Sequence, residues 1–170
     1  GLMKYQVNSF PAVNTLYNGL LNSPGFDKVD FSKLKTSFGG GMATQKPVAE
    51  KWLKVTGCAL SEGYGLSETI APSHINPPER AKKQCLGIPL YDVDSRVVGT
   101  DFRELPPGEA GEIVTCGPQV FRGYWNNPQA TAAAFVEIDG KRFFRTGDIG
   151  RIDDDGYFFM VDRLKRMINA

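Results

Sequence analysis

Val13, Leu16, Tyr17, Leu20 and Leu21 recur at spacings of three and four, which marks one face of an amphipathic helix. Pro11 suits the first turn of that helix, and Ser23-Pro24-Gly25 ends it. Leu34, Thr36 and Phe38 alternate with polar residues before Gly39-Gly40-Gly41, predicting a strand that runs into a loop. A second helix is predicted over 44–55, burying Val48, Trp52 and Leu53 and closing at Gly57. Cys58-Ala59-Leu60 then predicts a short strand that feeds the stretch EGYGLSET, residues 62–69. The order helix, strand, glycine loop is thus met twice, the alternation of an α/β architecture.

From about Gly87 the pattern shortens. Apolar runs at 96–98, 112–116, 142–144 and 157–161 are separated by Pro106-Pro107-Gly108, Asp139-Gly140 and Asp155-Gly156. The two Asp-Gly pairs are hairpin signals. A short helix with an alanine run, about 128–135, interrupts the series. The expected fold is therefore α/β: the end of a mixed α/β subdomain over 1–86, then a small, strongly bent, barrel-like β-subdomain over 87–161.

Composition narrows the chemistry. A chain of 170 residues with 41% hydrophobic content is long enough for one core or two small ones. Its 20 basic and 19 acidic residues leave a net charge of +1, without the basic excess that nucleic-acid binding shows. Cys58, Cys85 and Cys116 are odd in number and lack C-x-x-C pairing, so neither a disulfide framework nor a zinc site is expected; a reducing cytoplasm is the simplest setting. No apolar run approaches the ~18 residues of a membrane span, and the first ten residues lack a signal-peptide layout. The chain stops after a basic, half-apolar run with no terminating glycine or proline, the pattern of a chain that has been cut.

Candidate chemistry sits beside the glycines. Three in a row at 39–41 let the backbone approach a ligand closely, and the lack of a following Lys-Ser or Lys-Thr excludes a P-loop. Within EGYGLSET, Tyr64 stands between glycines and is placed to lie against a planar base. Ser67 can donate to a phosphate or carboxylate oxygen, and Glu68 can hold a magnesium ion that neutralises phosphate charge. The plainer alternative is a tight turn whose serine caps a helix. Asp148 follows Gly147 at an expected strand end, where a carboxylate can accept from a cis-diol; a bare turn is the alternative. A solvated strand end is the alternative for the alternating charges of Asp162-Arg163-Leu164-Lys165. His74 is the sole histidine, and a Ser67–His74 hydrolase would lack the elbow glycine and a third member.

The motifs occur in a telling order: SFGGGM at 37–42, EGYGLSET at 62–69, GEAGEIVTCGPQVFRGYWNNPQAT at 108–131, RTGDIG at 145–150 and GYFFMVDRLKRMI at 156–168. This set closely resembles the adenylate-forming superfamily of acyl-CoA synthetases, luciferases and peptide-synthetase adenylation domains. The GGGM form and the flanking VAEKW look most like bacterial long-chain fatty-acid–CoA ligases. The resemblance implies activation of a fatty acid by Mg-ATP to an acyl-AMP, then transfer to the thiol of coenzyme A. It implies that Gly39, Gly40, Gly41 and Met42 line the adenine and acyl carboxylate, and that Glu62, Gly63 and Tyr64 flank the base. Ser67 stands where threonine usually touches the α-phosphate, Glu68 matches the magnesium ligand, and Asp148 and Arg163 match the ribose-holding groups. Lys165 falls in a hinge, 162–170, leading to a further domain that carries the catalytic lysine and much of the coenzyme A contact.

The family's upstream phosphate loop has no counterpart in residues 1–38, so the resemblance implies a middle piece that is inactive by itself. Alternatives are a non-catalytic nucleotide-binding or regulatory module, an aryl-acid ligase, a peptide-synthetase adenylation domain, or a β-half that serves as an interaction domain. The implied partners are fatty acid, ATP and coenzyme A. No transmembrane segment is expected, with room left for peripheral contact of the parent protein at the inner membrane face.

Overall fold

Pro11, expected in the first turn of a helix, lies instead in the strand β1 (Ser9–Ala12). A computed structural model describes residues 2, 4–40, 45–70, 72–82 and 84–164. Pro11 is tolerated in the strand because β1 is an edge among the described residues, pairing there on one side only, where a missing N–H breaks no second ladder. The helix α1 (Asn14–Leu21) then buries Tyr17 and Leu21 but leaves Val13 and Leu16 exposed.

The strand β2 (Thr36–Gly39) runs parallel to β1, with Ser9 opposite Thr36 and Ala12 opposite Gly39. The helix α2 (Lys46–Thr56) has a proline in its first turn and ends on Gly57, whose left-handed φ of 71° suits glycine. Of its expected buried residues, Val48 and Trp52 are buried and Leu53 is exposed. Tyr17, Leu21, Phe26, Val48 and Trp52 form the core against this sheet. Two of its polar atoms are satisfied: the Tyr17 hydroxyl donates to the Phe10 carbonyl at 2.6 Å, and Trp52 Nε1 donates to Ser37 Oγ at 3.0 Å.

The expected strand at 58–60 lies further along the chain. Here β3 (Leu60–Tyr64) takes in the start of EGYGLSET and runs parallel to β2, Gly39 opposite Glu62. Two-residue strands β4 (His74–Ile75) and β5 (Ile88–Pro89) add to β3 antiparallel, completing the order β1-β2-β3-β4-β5.

The second sheet is built from β6 (Asp94–Val98), β7 (Gly111–Cys116), β8 (Phe135–Ile138), β9 (Lys141–Ile152) and β10 (Phe158–Arg163). Its order is β10-β9-β7-β6, with β8 on the first part of β9. The helix α3 (Pro128–Ala133) is shorter than expected, and Phe135 opens a strand rather than ending a helix. Asp139 and Gly140, at φ 51° and 72°, make the two-residue hairpin between β8 and β9 that the Asp-Gly pair predicts. Both faces of this sheet are covered. Val97, Ile113 and Phe158 pack on one side, and Val98, Val114 and Phe143 on the other. The fold is α/β with a bent antiparallel sheet, as the sequence pattern predicts.

Candidate active site

The sequence places Asp148 at a strand end; the structure places it inside β9, at a break in the β7–β9 ladder. Val114 pairs with Arg145 and Glu112 with Ile149, so residues 146–148 bulge opposite a single residue. A bulge bends a strand and re-aims its side chains. Gly147 supplies the positive φ of 71° that the bulge requires. Glu112 holds it from β7: one carboxylate oxygen accepts from the Gly147 N–H at 3.2 Å, and the other from Arg145 Nε and Nη2 at 3.1 and 2.8 Å. The Thr146 hydroxyl donates to the Ile113 carbonyl at 2.7 Å and accepts from the Asp148 N–H at 3.1 Å.

Asp148 is almost wholly buried. Its Oδ1 pairs with Arg163 Nε at 2.6 Å, and its Oδ2 accepts from the Tyr64 hydroxyl at 2.7 Å. A carboxylate oxygen has two acceptor sites, so each has acceptor capacity beyond the single bond described. Burial, and then the charge of Asp148, push the Tyr64 phenol well above its ordinary range, so it remains a donor. Tyr64 does not present a free ring face. It is buried beside His74, ring centres 5.4 Å apart, and reaches the site through its hydroxyl. His74 is itself buried, with Nδ1 2.9 Å from Ser73 Oγ and Nε2 without a partner among the described residues; burial drives its pKa down to about 3. No catalytic pairing with Ser67 is formed.

After β3 the chain makes one 3₁₀ turn, Ser67–Thr69. Its cap is not Ser67. The buried Thr69 Oγ1 accepts from the Leu66 N–H at 2.9 Å, which leaves the Ser67 hydroxyl exposed and without a protein partner among the described residues. Glu68, half-buried, accepts at Oε1 from the Tyr124 hydroxyl at 2.9 Å, while its backbone carbonyl accepts from the Phe121 N–H at 2.8 Å. It forms no ion pair among the described residues, where no group of three or more His, Cys, Asp or Glu could hold a metal. One carboxylate without its own cation suits a magnesium ion carried in by phosphates, which takes one or two protein carboxylates and keeps water.

Two cavities share Leu66, Glu68 and Arg163 as a common border. One, about 960 Å³, is lined by Phe38, Gly39, Gly40, Gly63 and Ser67. The other, about 650 Å³, is lined by Asp148, Gly147, Tyr124 and the alanines of α3. Gly39, Gly40, Gly63, Ser67, Glu68, Asp148 and Arg163 are thereby brought together, and Tyr64 lies directly beneath. Glu62 pairs with Gly39 in the sheet and borders neither cavity. Gly41, Met42 and Lys165 lie outside the described residues.

Sequence reasoning gave no individual role to Tyr124, Glu112 or Arg145. The clue available for Tyr124 was an aromatic after glycine in a turn-rich stretch, RGYWNN; for Glu112 it was a carboxylate in an apolar strand. A buried bulge bearing an ion-paired aspartate, facing glycine loops across two adjoining cavities, defines a site for a polar ligand with hydroxyl and anionic groups. The family model for AMP-binding enzymes matches residues 1–125, and the chain belongs to that family. It is 44% identical to a long-chain-fatty-acid–CoA ligase of Salmonella typhimurium over 168 residues, covering 98% of this chain and 29% of that protein. It is 40% identical to a feruloyl-CoA synthase of Amycolatopsis, covering 92% and 31% respectively. Among solved structures, a long-chain-fatty-acid-CoA ligase from Archaeoglobus fulgidus superimposes with a TM-score of 0.86 at 33% identity, covering 96% of this chain and 36% of that one. The chain thus spans under a third of the length of the curated relatives it matches.

Proposed function

We propose that this chain is the nucleotide-holding part of an ATP- and magnesium-dependent acyl-CoA ligase that activates a fatty acid as acyl-AMP and passes it to coenzyme A. The observation that carries this reading is the convergence of Asp148, Arg163 and Glu68 on cavities bordered by the glycine loops. Asp148 accepts from the ribose hydroxyls and Arg163 donates to them. Gly39 and Gly40, continued by Gly41 and Met42, line the adenine and the acyl carboxylate. Glu62, Gly63 and Tyr64 flank the base through their backbone, and Tyr64 also fixes Asp148 from below.

In the first step the acyl carboxylate attacks the α-phosphate and pyrophosphate leaves; in the second the thiol of coenzyme A attacks the acyl carbon and AMP leaves. Ser67 donates to an α-phosphate oxygen, stabilising charge as it builds on phosphorus. Glu68 would hold the magnesium ion, which when bound supplies neutralisation of phosphate charge. Lys165 lies in the hinge, 162–170, that joins residues 1–86 and 87–161 to the domain carrying the catalytic lysine. The setting of the parent protein is the cytoplasm, with room left for peripheral contact at the inner membrane face; no helix among the described residues is long and apolar enough to cross a membrane.

Pyrophosphate release by the full-length protein with ATP, magnesium and an acid series is the test. Release that depends on a long-chain fatty acid is expected, and none from the 170-residue chain alone. Silence with every acid would sink the ligase reading. The similarity to a feruloyl-CoA synthase makes an aryl acid the second reading of the substrate, so ferulate belongs in the series.

A further inference from the structure

The loop that crosses from the antiparallel sheet to Glu68 is built with more care than a connector needs. The Phe121 ring packs edge-on against Tyr124 at 4.8 Å and against Phe144 at 5.4 Å, and lies stacked on Phe135 at 5.4 Å. The Tyr124 N–H donates to Thr131 Oγ1 at 2.9 Å, and that hydroxyl donates to the Asn127 carbonyl at 2.8 Å. Asn127 Oδ1 in turn accepts from the Ala130 N–H at 3.0 Å, capping α3. At Gly123 a Cβ would stand 2.5 Å from Thr131 Cγ2, so only glycine lets the loop close this tightly on the helix. The outcome is two hydrogen bonds onto one residue of the turn after β3: Phe121 N–H to the Glu68 carbonyl and Tyr124 hydroxyl to Glu68 Oε1.

The donor is a neutral phenol, and its chemistry matters. A tyrosine hydroxyl is neutral and can donate throughout the physiological range. A lysine or arginine at this place would orient the carboxylate but also offset its charge. A phenol orients it and leaves the charge whole, with Oε2 unengaged by any described residue. Asp148, which binds Arg163, shows the opposite arrangement.

We infer that Tyr124 is a positioning residue that presents the Glu68 carboxylate, undiminished in charge, to a divalent cation arriving with the phosphates of the nucleotide. This rests on the reading of Glu68 as the cation ligand under the proposed function.

The test uses the full-length protein with a non-hydrolysable ATP analogue, and manganese as a paramagnetic probe whose affinity is read by electron paramagnetic resonance. Tyr124→Phe keeps the ring and its packing. It is expected to weaken manganese binding about three- to tenfold, the worth of one hydrogen bond, with the melting temperature and the metal-free affinity for AMP unchanged. Glu68→Gln is expected to weaken manganese more, and adding Tyr124→Phe to it should have no further effect. Unchanged manganese affinity in Tyr124→Phe, with a clear loss in Glu68→Gln, overturns the role of Tyr124 alone. Unchanged affinity in Glu68→Gln overturns the cation reading of Glu68 and this inference with it. An equal loss of metal-free AMP affinity in Tyr124→Phe shows a packing role and also overturns it.

Discussion

The two sheets supply the site with walls made on opposite principles. On β9, Asp148 is buried, bonded at both carboxylate oxygens, and seated on a bulge that Glu112, Thr146 and Arg145 hold from within the same sheet. On the turn after β3, Glu68 has a single phenol on its carboxylate, and Ser67 is open to solvent. The first wall has its carboxylate oriented and its charge offset before any ligand arrives. The second has acceptor and donor capacity to spare, at a half-exposed place where water satisfies it until a ligand comes. Under the proposed function the difference separates anchoring from chemistry: a group that only fixes the sugar gains from rigidity, because fewer rotamers are lost on binding. Groups that meet transferring phosphate must keep their charge and hydrogen bonds uncommitted.

Replacing the anchor should have the largest effect. Asp148→Ala in the full-length protein is expected to lower AMP affinity about 100-fold or more, since hydrogen bonds to a charged group are lost; titration calorimetry reads this. Affinity within twofold of the parent would break the contrast outright. Glu112→Gln comes next. It leaves Arg145 without its carboxylate partner, and because Arg145 is 35% exposed the loss is set at about 2 kcal/mol, below that of a fully buried pair. Urea unfolding measures the loss, and AMP affinity should fall with it as the bulge relaxes.

A smaller effect of the same sign tests the packing beneath the open wall. His74 is held neutral among Tyr64, Phe158 and Ser73, its pKa lowered to about 3 by burial. The unfolded chain therefore binds the proton more readily, and stability falls as pH drops from about 6.5 toward 3. The loss by pH 5 is about 2 kcal/mol at most, and His74→Gln should flatten that slope. A slope of equal size in the variant would place the titrating group elsewhere. Least of all, Ser67→Ala should change stability by under about 0.5 kcal/mol while slowing acyl-AMP formation in the full-length protein. A marked drop in melting temperature would show that the open wall is structural after all.

Much of the fold was legible because its signals are local. The α/β alternation, the closing of α2 at Gly57 and the Asp139-Gly140 hairpin follow from periodicity and from residues that tolerate positive φ. Pro11 was misread because helix and edge strand both accept it, and only its pairing with Phe38 on β2 tells them apart. The strand placed at 58–60 lies at 60–64 because parallel pairing with β2 carries it to Glu62 and antiparallel pairing with β4 takes in Gly63, a glycine that pattern reading takes as a stop. β8 was missed since Phe135 continues an alanine-rich helix pattern until its partner Phe144 is known. In the site, Asp148, Glu68 and Ser67 stand out by residue type beside glycine. Glu112 does not, because its role is to accept from a bulge 33 to 35 positions away.

The sequence by itself determined which groups are on hand: the carboxylates, the hydroxyl, the glycines and the order in which strands and helices carry them. The tertiary structure decided who meets whom. The Tyr64–Asp148 bond spans 84 positions and joins β3 to β9; the Tyr124–Glu68 bond spans 56 and joins the loop before α3 to the turn after β3. No local propensity encodes such contacts. They exist because two separately packed cores bring a bulge on one sheet against a turn on the other, and that docking leaves Asp148 anchored and Glu68 with charge to offer.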